Sequence, residues 1–263
     1  MSARPTPSAG TERLAELIGG ARSVVALTGA GISVPSGIPD FRSPGTGMWE
    51  TVDPMEVAHI DVFRRAPERF WQFYGDRFAT LGDREPNDAH RALVALERAG
   101  RLDAVITQNI DMLHRKAGTE ALVEVHGSIA SASCLECRDA WPAEAVRARL
   151  VADEHGIPRC DCGAPLKPDV VLFGEYLPAG ALARAEELAA DADLMLCIGS
   201  SLEVYPVAQL PLVTLGAGGK IAILTQGRTP LDDRATIRMG GDIVLELDAL
   251  LDALALPAAV FTR

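Results

Sequence analysis

The chain has 263 residues, of which 48% are hydrophobic and 23% are charged, and its formal net charge is -11. This length supports one large domain, or one large and one small domain. The acidic balance argues against a nucleic-acid-binding surface, which normally carries clustered basic residues. No apolar run approaches the roughly 18 residues of a membrane span, and residues 1–10 lack the apolar core of a signal peptide. We therefore expect a cytoplasmic protein.

The first informative stretch is residues 24–42, which read VVALTGAGISVPSGIPDFR. The apolar, β-branched run at 24–27 predicts a buried parallel strand. Gly29 and Gly31 follow it directly, and glycines at such a turn allow backbone N–H groups to approach a phosphate closely. The spacing departs from the dinucleotide-binding fingerprint, because Val34 stands where that pattern has glycine or alanine. The prolines and the glycine that follow predict a loop in place of a regular helix.

Strands and helices alternate along most of the remaining chain. A helix at 11–20, with Thr11 as its N-cap, precedes the first strand. The other predicted elements are helices at 53–81, 90–98 and 182–190 and strands at 103–107, 122–125, 194–198, 221–224 and 243–247. This alternation predicts an α/β fold with a parallel, doubly wound sheet.

Polar residues follow three of the predicted strands, at the end where parallel strands bind ligands. They are Gln108, Asn109 and Asp111 after the second strand, His126 after the third, and Gly199, Ser200 and Ser201 after the fourth. The sequence therefore predicts a ligand site at the carboxyl edge of the sheet.

A loop-rich insert at 134–162 carries four of the five cysteines. Cys134 and Cys137 form a C-x-x-C pair, and Cys160 and Cys162 form a C-x-C pair. Two such pairs in a chain without a secretion signal predict a structural zinc site of four thiolates, which leaves no open position for catalysis. The alternative is four reduced thiols without a metal.

These stretches together resemble the sirtuin family, the NAD-consuming protein lysine deacylases. The similar segments occur in the family's order and span nearly the whole chain. They are GAGISVPSGIPDFR (29–42), TQNIDMLH (107–114), VHGS (125–128), the four cysteines, KPDVVLFGEYLP (167–178) and GSSLEVYPVAQLP (199–211).

The resemblance implies a Rossmann-like, NAD-binding large domain beside a small zinc-binding domain and a helical module. NAD, as a consumed co-substrate, and an acylated-lysine peptide or protein would enter the cleft between them, and Zn²⁺ would be structural. Neither nucleic acid nor a membrane is an implied partner. The implied boundaries are 11–42, 86–126 and 174–263 for the large domain, 43–85 for the helical module with the cofactor loop, and 127–173 for the zinc-binding domain.

The resemblance also implies a set of site residues. Those expected at NAD are Gly29, Ala30, Gly31, Val34, Phe41, Arg42, Gln108, Asn109, Ile110, Asp111, Gly199, Ser200, Ser201, Thr225 and Ile243. A substrate peptide is expected to add a strand between Val171, Leu172, Phe173, Gly174 and Glu175 on one side and Val204 and Tyr205 on the other. His126 is expected to act as general base on a ribose hydroxyl, with Asn109 as the second catalytic residue, because the pKa of imidazole lies near working pH.

Three positions depart from the family's pattern. Thr225 stands where the family usually offers asparagine to the adenine ribose. Leu172 replaces the bulky aromatic residue that often precedes Phe173. The pair formed by Cys160 and Cys162 is one residue shorter than the commoner C-x-x-C.

Tyr74 and Arg77 form a Y-x-x-R pair, which resembles the one that family members use when they remove succinyl or malonyl groups. An arginine pairs well with an acyl carboxylate, and a tyrosine adds a hydrogen-bond donor. The competing interpretation is a packed tyrosine beside a surface arginine. Removal of acetyl groups and removal of acidic acyl groups therefore both stay open.

Three other functions compete with the deacylase. An NAD-binding zinc-ribbon interaction protein would bind without releasing nicotinamide. An ADP-ribosyltransferase using the same site would leave protein labelled with ADP-ribose. A hydride-transfer enzyme is disfavoured by Val34 in the glycine turn.

Overall fold

The computed structural model describes residues 8–39 and 52–257, except for the side chains at positions 76, 77 and 79. Its described α-helices are α1 (Ala9–Gly20), α2 (Pro54–Val57), α3 (Ile60–Arg65), α4 (Pro67–Leu81), α5 (Asp88–Arg98), α6 (Leu113–Ala117), α7 (Ala143–Ala152), α8 (Ala179–Asp191), α9 (Leu210–Gly216) and α10 (Ile243–Ala253). Its strands are β1 (Val24–Thr28), β2 (Ala104–Thr107), β3 (Leu122–Glu124), β4 (Gly127–Cys134), β5 (Ala140–Pro142), β6 (Leu166–Val170), β7 (Leu194–Ile198), β8 (Lys220–Leu224) and β9 (Ile237–Met239). Among the described helices, none has the length and apolarity that a membrane crossing requires.

Six strands form one parallel sheet in the order β3-β2-β1-β7-β8-β9. At its centre, Val25 of β1 lies opposite Ala104 of β2 and Met195 of β7. The chain winds outward in both directions from the β1–β7 pair, which is the arrangement of a Rossmann-like sheet. The prediction of a parallel, doubly wound sheet is confirmed.

Helices cover both faces of this sheet, because its central strands are apolar on both sides. On one face, Ala26 and Leu196 belong to a core that includes residues of α1, α5 and α10. On the other face, Leu27 and Cys197 belong to a core that includes residues of α8 and α9. Successive residues of β1 and β7 thus enter different cores, which explains why both strands are unbroken apolar runs.

A second, antiparallel sheet has the order β5-β4-β6. It shares a third apolar cluster with α3, α4 and α7. Phe70 is fully buried there, and Nε1 of Trp71 donates to the carbonyl of Leu166 at 3.1 Å. The cysteine-bearing sheet and the aromatic helix therefore share one core. The domain boundaries given above stay a prediction.

The prediction of one helix over residues 53–81 is wrong. The segment forms α2, α3 and α4, which are separated at Ala58 and Ala66. Pro54 and Pro67 stand at the start of α2 and α4, where the missing N–H costs no helical hydrogen bond. The two prolines therefore mark helix starts inside what the aromatic spacing presents as one continuous pattern.

The predicted strand at 243–247 is also wrong. These residues begin α10, and Asp242 caps that helix by accepting from the N–H groups of Val244 and Leu245 at 2.9 and 3.1 Å. Leu247 is buried in the first core. The last described strand is β9, which has three residues and pairs with β8 at the edge of the sheet.

Three local predictions need correction. Ser8, not Thr11, is the N-cap of α1, since its Oγ accepts from the Thr11 N–H at 3.2 Å. The segment after β1 is a 3-10 helix, Ala30–Ser36, and Gly37 ends it with φ 78°. The insert at 134–162 contains α7, which is ten residues long, so it is less loop-rich than expected.

Candidate functional site

The carboxyl ends of β1 and β7 lie side by side at the point where the strand order reverses. In open α/β sheets, ligands bind in the crevice at such a reversal. The predicted residues at 29–31, 108–111 and 199–201 follow β1, β2 and β7, so all three groups reach this edge. The edge is therefore the candidate site.

Gly29, Gly31 and Gly199 allow two backbones to touch at this edge. The Gly29 N–H donates to the carbonyl of Ile198 at 3.0 Å, and the Gly31 N–H donates to that of Gly199 at 2.8 Å. A Cβ at Gly31 would lie 2.8 Å from the Gly199 Cα, and a Cβ at Gly199 would lie 2.4 Å from the Ile32 nitrogen. Backbone packing therefore requires these glycines, and a bound phosphate would need donors other than the amides of Gly29 and Gly31.

A buried polar network joins the 3-10 helix to the end of β2. The Ser33 hydroxyl donates to Oδ2 of Asp111 at 2.6 Å, while Oδ1 accepts the Leu113 N–H at 2.9 Å. Nδ2 of Asn109 donates to Ser33 Oγ at 3.2 Å and to the Gly29 carbonyl at 3.1 Å. Burial raises the pKa of Asp111, and the bond from Ser33 opposes that shift. Since Asn109 uses both amide hydrogens, its side-chain carbonyl is the atom left to accept from a ligand.

Ser33 is absent from the predicted site residues, although it is 1% exposed and connects Asn109 to Asp111. Its partners lie 76 and 78 positions away along the chain. Serine is common in turns, so the residue type alone does not indicate a functional role. Its place inside the glycine-rich segment is the one signal in the sequence.

His90 and His114 form a buried pair next to this network. Their ring centroids are 4.8 Å apart and their planes cross at 63°. Nε2 of His114 lies 3.0 Å from Oγ1 of Thr28. Burial lowers the pKa of His114 to about 4 and holds the pKa of His90 well below its usual value. Both rings are therefore neutral at pH 7.

His126 lies at the same edge, directly before β4, and is half-buried. Its Nδ1 donates to the carbonyl of Gln108 at 3.0 Å, so Nε2 is left as the proton acceptor. Its own carbonyl accepts the Val171 N–H at 2.8 Å. Burial lowers the pKa of His126, and the bond to Gln108 opposes that shift. The ring is thus neutral near pH 7 and suited to accept a proton from a bound hydroxyl.

Gln108 and Ser200 link the ends of β2 and β7. Nε2 of Gln108 donates to Oγ of Ser200 at 2.9 Å, and the same Oγ accepts the Leu202 N–H at 3.2 Å. Ser200 is buried and Ser201 is half-buried. Ile110 packs against the third apolar cluster. The structure therefore brings the predicted residues of two strands together.

Residues 171–175 form a turn that several parts of the chain hold in place. Phe173 pairs through its backbone with the segment 58–60, with hydrogen bonds of 3.0 and 2.9 Å. Gly174 has φ 85°, and a Cβ there would lie 2.7 Å from Nε2 of His59. The segment 58–60 thus contacts the predicted peptide-binding turn directly. Phe173 is 39% exposed, so part of its ring remains available to a ligand.

The second predicted peptide segment follows β7. Val204 is half-buried there, and the Tyr205 side chain is 66% exposed. Leu202 is buried, with φ 56°. That a peptide strand pairs with these residues stays a prediction.

Tyr74 packs among aromatic rings on α4. The centroids of three phenylalanine rings lie 4.8, 4.8 and 5.4 Å from its own. Tyr74 packs against the third apolar cluster, which also contains Leu172 of the turn. The side chain of Arg77 lies outside the described residues, so the acyl-binding role of the pair stays a prediction.

The remaining predicted NAD residues are spread along the chain. Phe41 and Arg42 lie outside the described residues. Val34 projects from the 3-10 helix and is 44% exposed. Thr225 follows β8, and Ile243 is buried in the first core at the start of α10. The roles of these residues stay predictions.

The four predicted metal ligands converge in the structure. Their Sγ atoms all lie within 4.8 Å of one another. Cys134 and Cys162 are 3.5 Å apart, and Cys137 and Cys160 are 3.4 Å apart, between sulfurs. Four sulfurs bound about 2.3 Å from a tetrahedral zinc ion would be about 3.8 Å apart. The cluster therefore has the donor set and the size of a structural zinc site.

Arg149 of α7 supports the C-x-C segment from outside. Its guanidinium donates to the Arg159 carbonyl and to the Asp161 carboxylate, both at 2.8 Å. The same group lies 3.7 Å from the ring centre of Trp141. Asp161 stands between the two cysteines of this pair, so Arg149 fixes the segment that places their sulfurs. The sequence gives no sign of this contact, because α7 falls in a predicted loop.

The sequence matches a model of the Sir2 family over residues 29–206. It is also similar to an NAD-dependent protein deacetylase of Sulfolobus acidocaldarius. The two are 46% identical over 226 residues, which cover 86% of this chain and 88% of the relative.

Solved structures show the same likeness over most of the chain. A Sir2–p53 peptide–NAD⁺ complex aligns with a TM-score of 0.84 and 41% identity, covering 91% of this chain and 96% of the other. A Sir2 variant with deacetylated p53 peptide and 3′-O-acetyl ADP ribose aligns with a TM-score of 0.89 and 40% identity, covering 94% and 99%.

Proposed function

The chain belongs to the Sir2 family, and on that basis we propose that it is an NAD-dependent protein lysine deacetylase. It transfers the acyl group of an acylated lysine to ADP-ribose and releases nicotinamide, so NAD is consumed as a co-substrate. One related structure holds NAD⁺ with a peptide, and another holds a deacetylated peptide with acetyl ADP ribose. These two complexes correspond to the two sides of the reaction.

The environment of His126 is the observation that carries the assignment of residues. The acyl oxygen attacks C1′ of the nicotinamide ribose, and nicotinamide leaves. His126, neutral and with Nε2 as acceptor, takes the proton of a ribose hydroxyl, whose oxygen then bonds to the acyl carbon. The bond from that carbon to the lysine nitrogen breaks and the free amine leaves. Water adds to the acyl carbon as its bond to the C1′ oxygen breaks, which leaves the acyl group on the ribose and a hydroxyl at C1′. Such a base typically contributes about 10²–10⁴-fold to the rate. Asn109, whose side-chain carbonyl is left to accept, positions the ribose.

The other ligands follow the carboxyl edge of the sheet. The nicotinamide and its ribose lie at residues 108–111, and the adenosine lies at residues 199–201 with Thr225 and Ile243. The acylated peptide lies between residues 171–175 and residues 204–205, where it adds a strand and is bound mainly through its backbone. The convergence of Gln108, Ser200 and His126 supports this arrangement.

The four cysteines bind Zn²⁺ as a structural ion, and four thiolates leave no position at which it could act on the substrate. The ion adds metal-binding free energy to the apolar cluster that the small sheet shares with α3, α4 and α7. We place the protein in the cytoplasm, because cysteines arranged for metal binding stay reduced there.

The test uses the zinc-loaded protein with NAD and an acetyl-lysine peptide. We expect one nicotinamide released for each acetyl group removed, measured by chromatography and mass spectrometry. His126→Gln should lower turnover by about 10²–10⁴-fold while NAD still binds. His155→Gln, which changes an exposed histidine, should leave turnover unchanged. Full turnover by His126→Gln would refute the assignment of the base. Failure of the wild-type protein to release nicotinamide would refute the deacetylase.

The removal of acidic acyl groups is tested on the same peptide carrying succinyl-lysine. Tyr74→Phe with Arg77→Met should reduce desuccinylation and spare deacetylation if this pair binds the acyl carboxylate. Equal loss of both activities would contradict that role. Protein labelled with ADP-ribose, in place of free acetyl ADP-ribose, would instead indicate an ADP-ribosyltransferase.

A further inference from the structure

Lys167 has a buried side chain, although lysine is rarely found inside proteins unless it is paired. It lies in β6 and is 7% exposed. Its ammonium group donates to the carbonyls of Pro168 and Val170 at 3.1 and 2.8 Å and to Oε2 of Glu175 at 2.9 Å. All three hydrogens of the ammonium group therefore have acceptors.

Glu175 connects this ammonium group to the predicted peptide-binding turn. Its Oε2 also accepts the N–H of Leu172 at 2.9 Å, and its own N–H donates to the Leu172 carbonyl at 3.0 Å. One carboxylate oxygen thus joins the buried lysine to the backbone of the turn. The turn is closed from inside by an ion pair whose members are 9% and 24% exposed in their side chains.

The strand that carries Lys167 runs from the cysteine cluster to the catalytic edge. At one end, Leu166 lies opposite Cys134. At the other end, Val170 lies opposite Gly127, and the next residue donates to the carbonyl of His126. Lys167 therefore lies in the strand that connects the cysteine cluster to the His126 edge, and its ammonium group contacts Val170, the residue just before the turn.

We propose that Lys167 is a positioning residue that sets the shape of turn 171–175 for the acylated peptide. This inference rests on the deacetylase function proposed above. Without the ammonium group, Glu175 loses its buried partner and two carbonyls of β6 lose a donor, so the turn can leave the conformation that receives the peptide backbone. The bond that orients the His126 ring, from Nδ1 to the Gln108 carbonyl, involves neither Lys167 nor the turn. The affinity for peptide should therefore fall more than the affinity for NAD.

The experiment measures the KM for acetyl-peptide, the KM for NAD and kcat in the zinc-loaded protein. For Lys167→Met we expect the peptide KM to rise about tenfold, because the turn loses the charge-assisted bond between Lys167 and Glu175. The KM for NAD should stay within about twofold of the wild-type value. Lys167→Arg should restore most of the peptide affinity, since a guanidinium still pairs with Glu175. Lys116→Met is the matched control, because that ammonium group also donates to two backbone carbonyls but lies on α6.

Zinc content and circular dichroism show whether each variant is folded. If Lys167→Met does not fold, Glu175→Gln carries the test, because it keeps an acceptor for Leu172 and weakens only the ion pair. A peptide KM that rises selectively in either variant supports the positioning role of Lys167. An unchanged peptide KM, or equal rises for peptide and NAD, overturns it. A wild-type protein that releases no nicotinamide refutes the deacetylase instead, so the two failures are distinguishable.

Discussion

Lowering the pH from 7 to 5 should destabilise the protein through His114. The side chain is 2% exposed, and its Nδ1 has no hydrogen-bond partner among the described residues. Burial lowers its pKa from the usual 6.5 to about 4, because water cannot solvate the charged ring there. Between these two values the unfolded chain binds a proton at this position and the folded chain does not. Stability is therefore lost as the pH falls through 6.5 toward 4, and the loss levels off below that.

The size of the effect follows from the two pKa values. At pH 5 the solution is about 1.5 pH units below the usual histidine pKa of 6.5, so protonation stabilises the unfolded form by about 2 kcal/mol. The folded form, with a pKa of about 4, gains almost nothing, so His114 alone lowers the free energy of unfolding by about 2 kcal/mol. His90 adds to the loss, because its pKa is also lowered by burial. Asp111 acts in the opposite direction, since its folded pKa is raised and it binds a proton more readily in the folded state.

The measurement is urea unfolding at pH 7 and pH 5 for the wild type and for His114→Gln, which does not titrate. The free energy of unfolding of the wild type should fall by about 2 kcal/mol more than that of the variant. Contributions from Asp111 and from groups away from His114 occur in both proteins and largely cancel in this difference. The contribution of His90 changes with the substitution, because its ring packs against that of His114. His155→Gln, at an exposed position, should behave as the wild type. The reasoning is refuted if the wild type and His114→Gln lose the same free energy.

Three further predictions concern the sheet edge, the cysteine cluster and the base. Gly199→Ala should lower the free energy of unfolding by about 2–4 kcal/mol, because φ is 61° and the new Cβ would lie 2.4 Å from the Ile32 nitrogen. Gly180→Ala, whose Cβ would meet nothing within 4 Å, should not be destabilised, and equal losses would contradict the packing argument. Arg149→Lys should speed zinc release to a chelator by about tenfold, and a wild-type release rate would exclude its supporting role. The acid limb of kcat/KM should lie below pH 6.5, because burial lowers the pKa of His126, and a limb at higher pH would exclude that base.

The parallel sheet could be predicted because its central strands are short apolar runs that are buried on both faces. β7 has the bounds predicted for it, and Lys220 alone extends β8 beyond the prediction. Both strands are flanked by helices that supply the two cores, so local composition and tertiary packing favour the same structure.

The strand predicted at 243–247 fails because a short apolar run fits both periodicities. What decides in favour of a helix lies outside that window. Leu250 and Leu251 continue the buried face beyond it, and Asp242 provides the N-cap just before it. Conversely, β9 is too short to show a pattern, and only its pairing with β8 makes it a strand.

The site residues also divide into those that could be predicted from local sequence and those that depend on other parts of the chain. Residues inside the glycine, QNID and VHGS segments could be placed at the carboxyl edge of the sheet from the sequence, because each segment directly follows a strand. The roles of Ser33 and Arg149 could not be predicted, since each acts on a segment supplied by another element. Lys167 lies within a matching segment, yet its role depends on burial and on the turn that brings Glu175 back to it.

The proposed base and the predicted peptide-binding turn are held by different kinds of contact, and this limits how each can change. His126 is placed by two backbone atoms, the carbonyl of Gln108 and the N–H of Val171. The bond to Gln108 is independent of the turn, whereas the Val171 N–H shares a peptide unit with the Val170 carbonyl that Lys167 contacts. The turn depends on a side-chain pair, Lys167 with Glu175. Changes at that pair should therefore alter the affinity for peptide while the bond from His126 Nδ1 to Gln108, which leaves Nε2 as the acceptor, is retained.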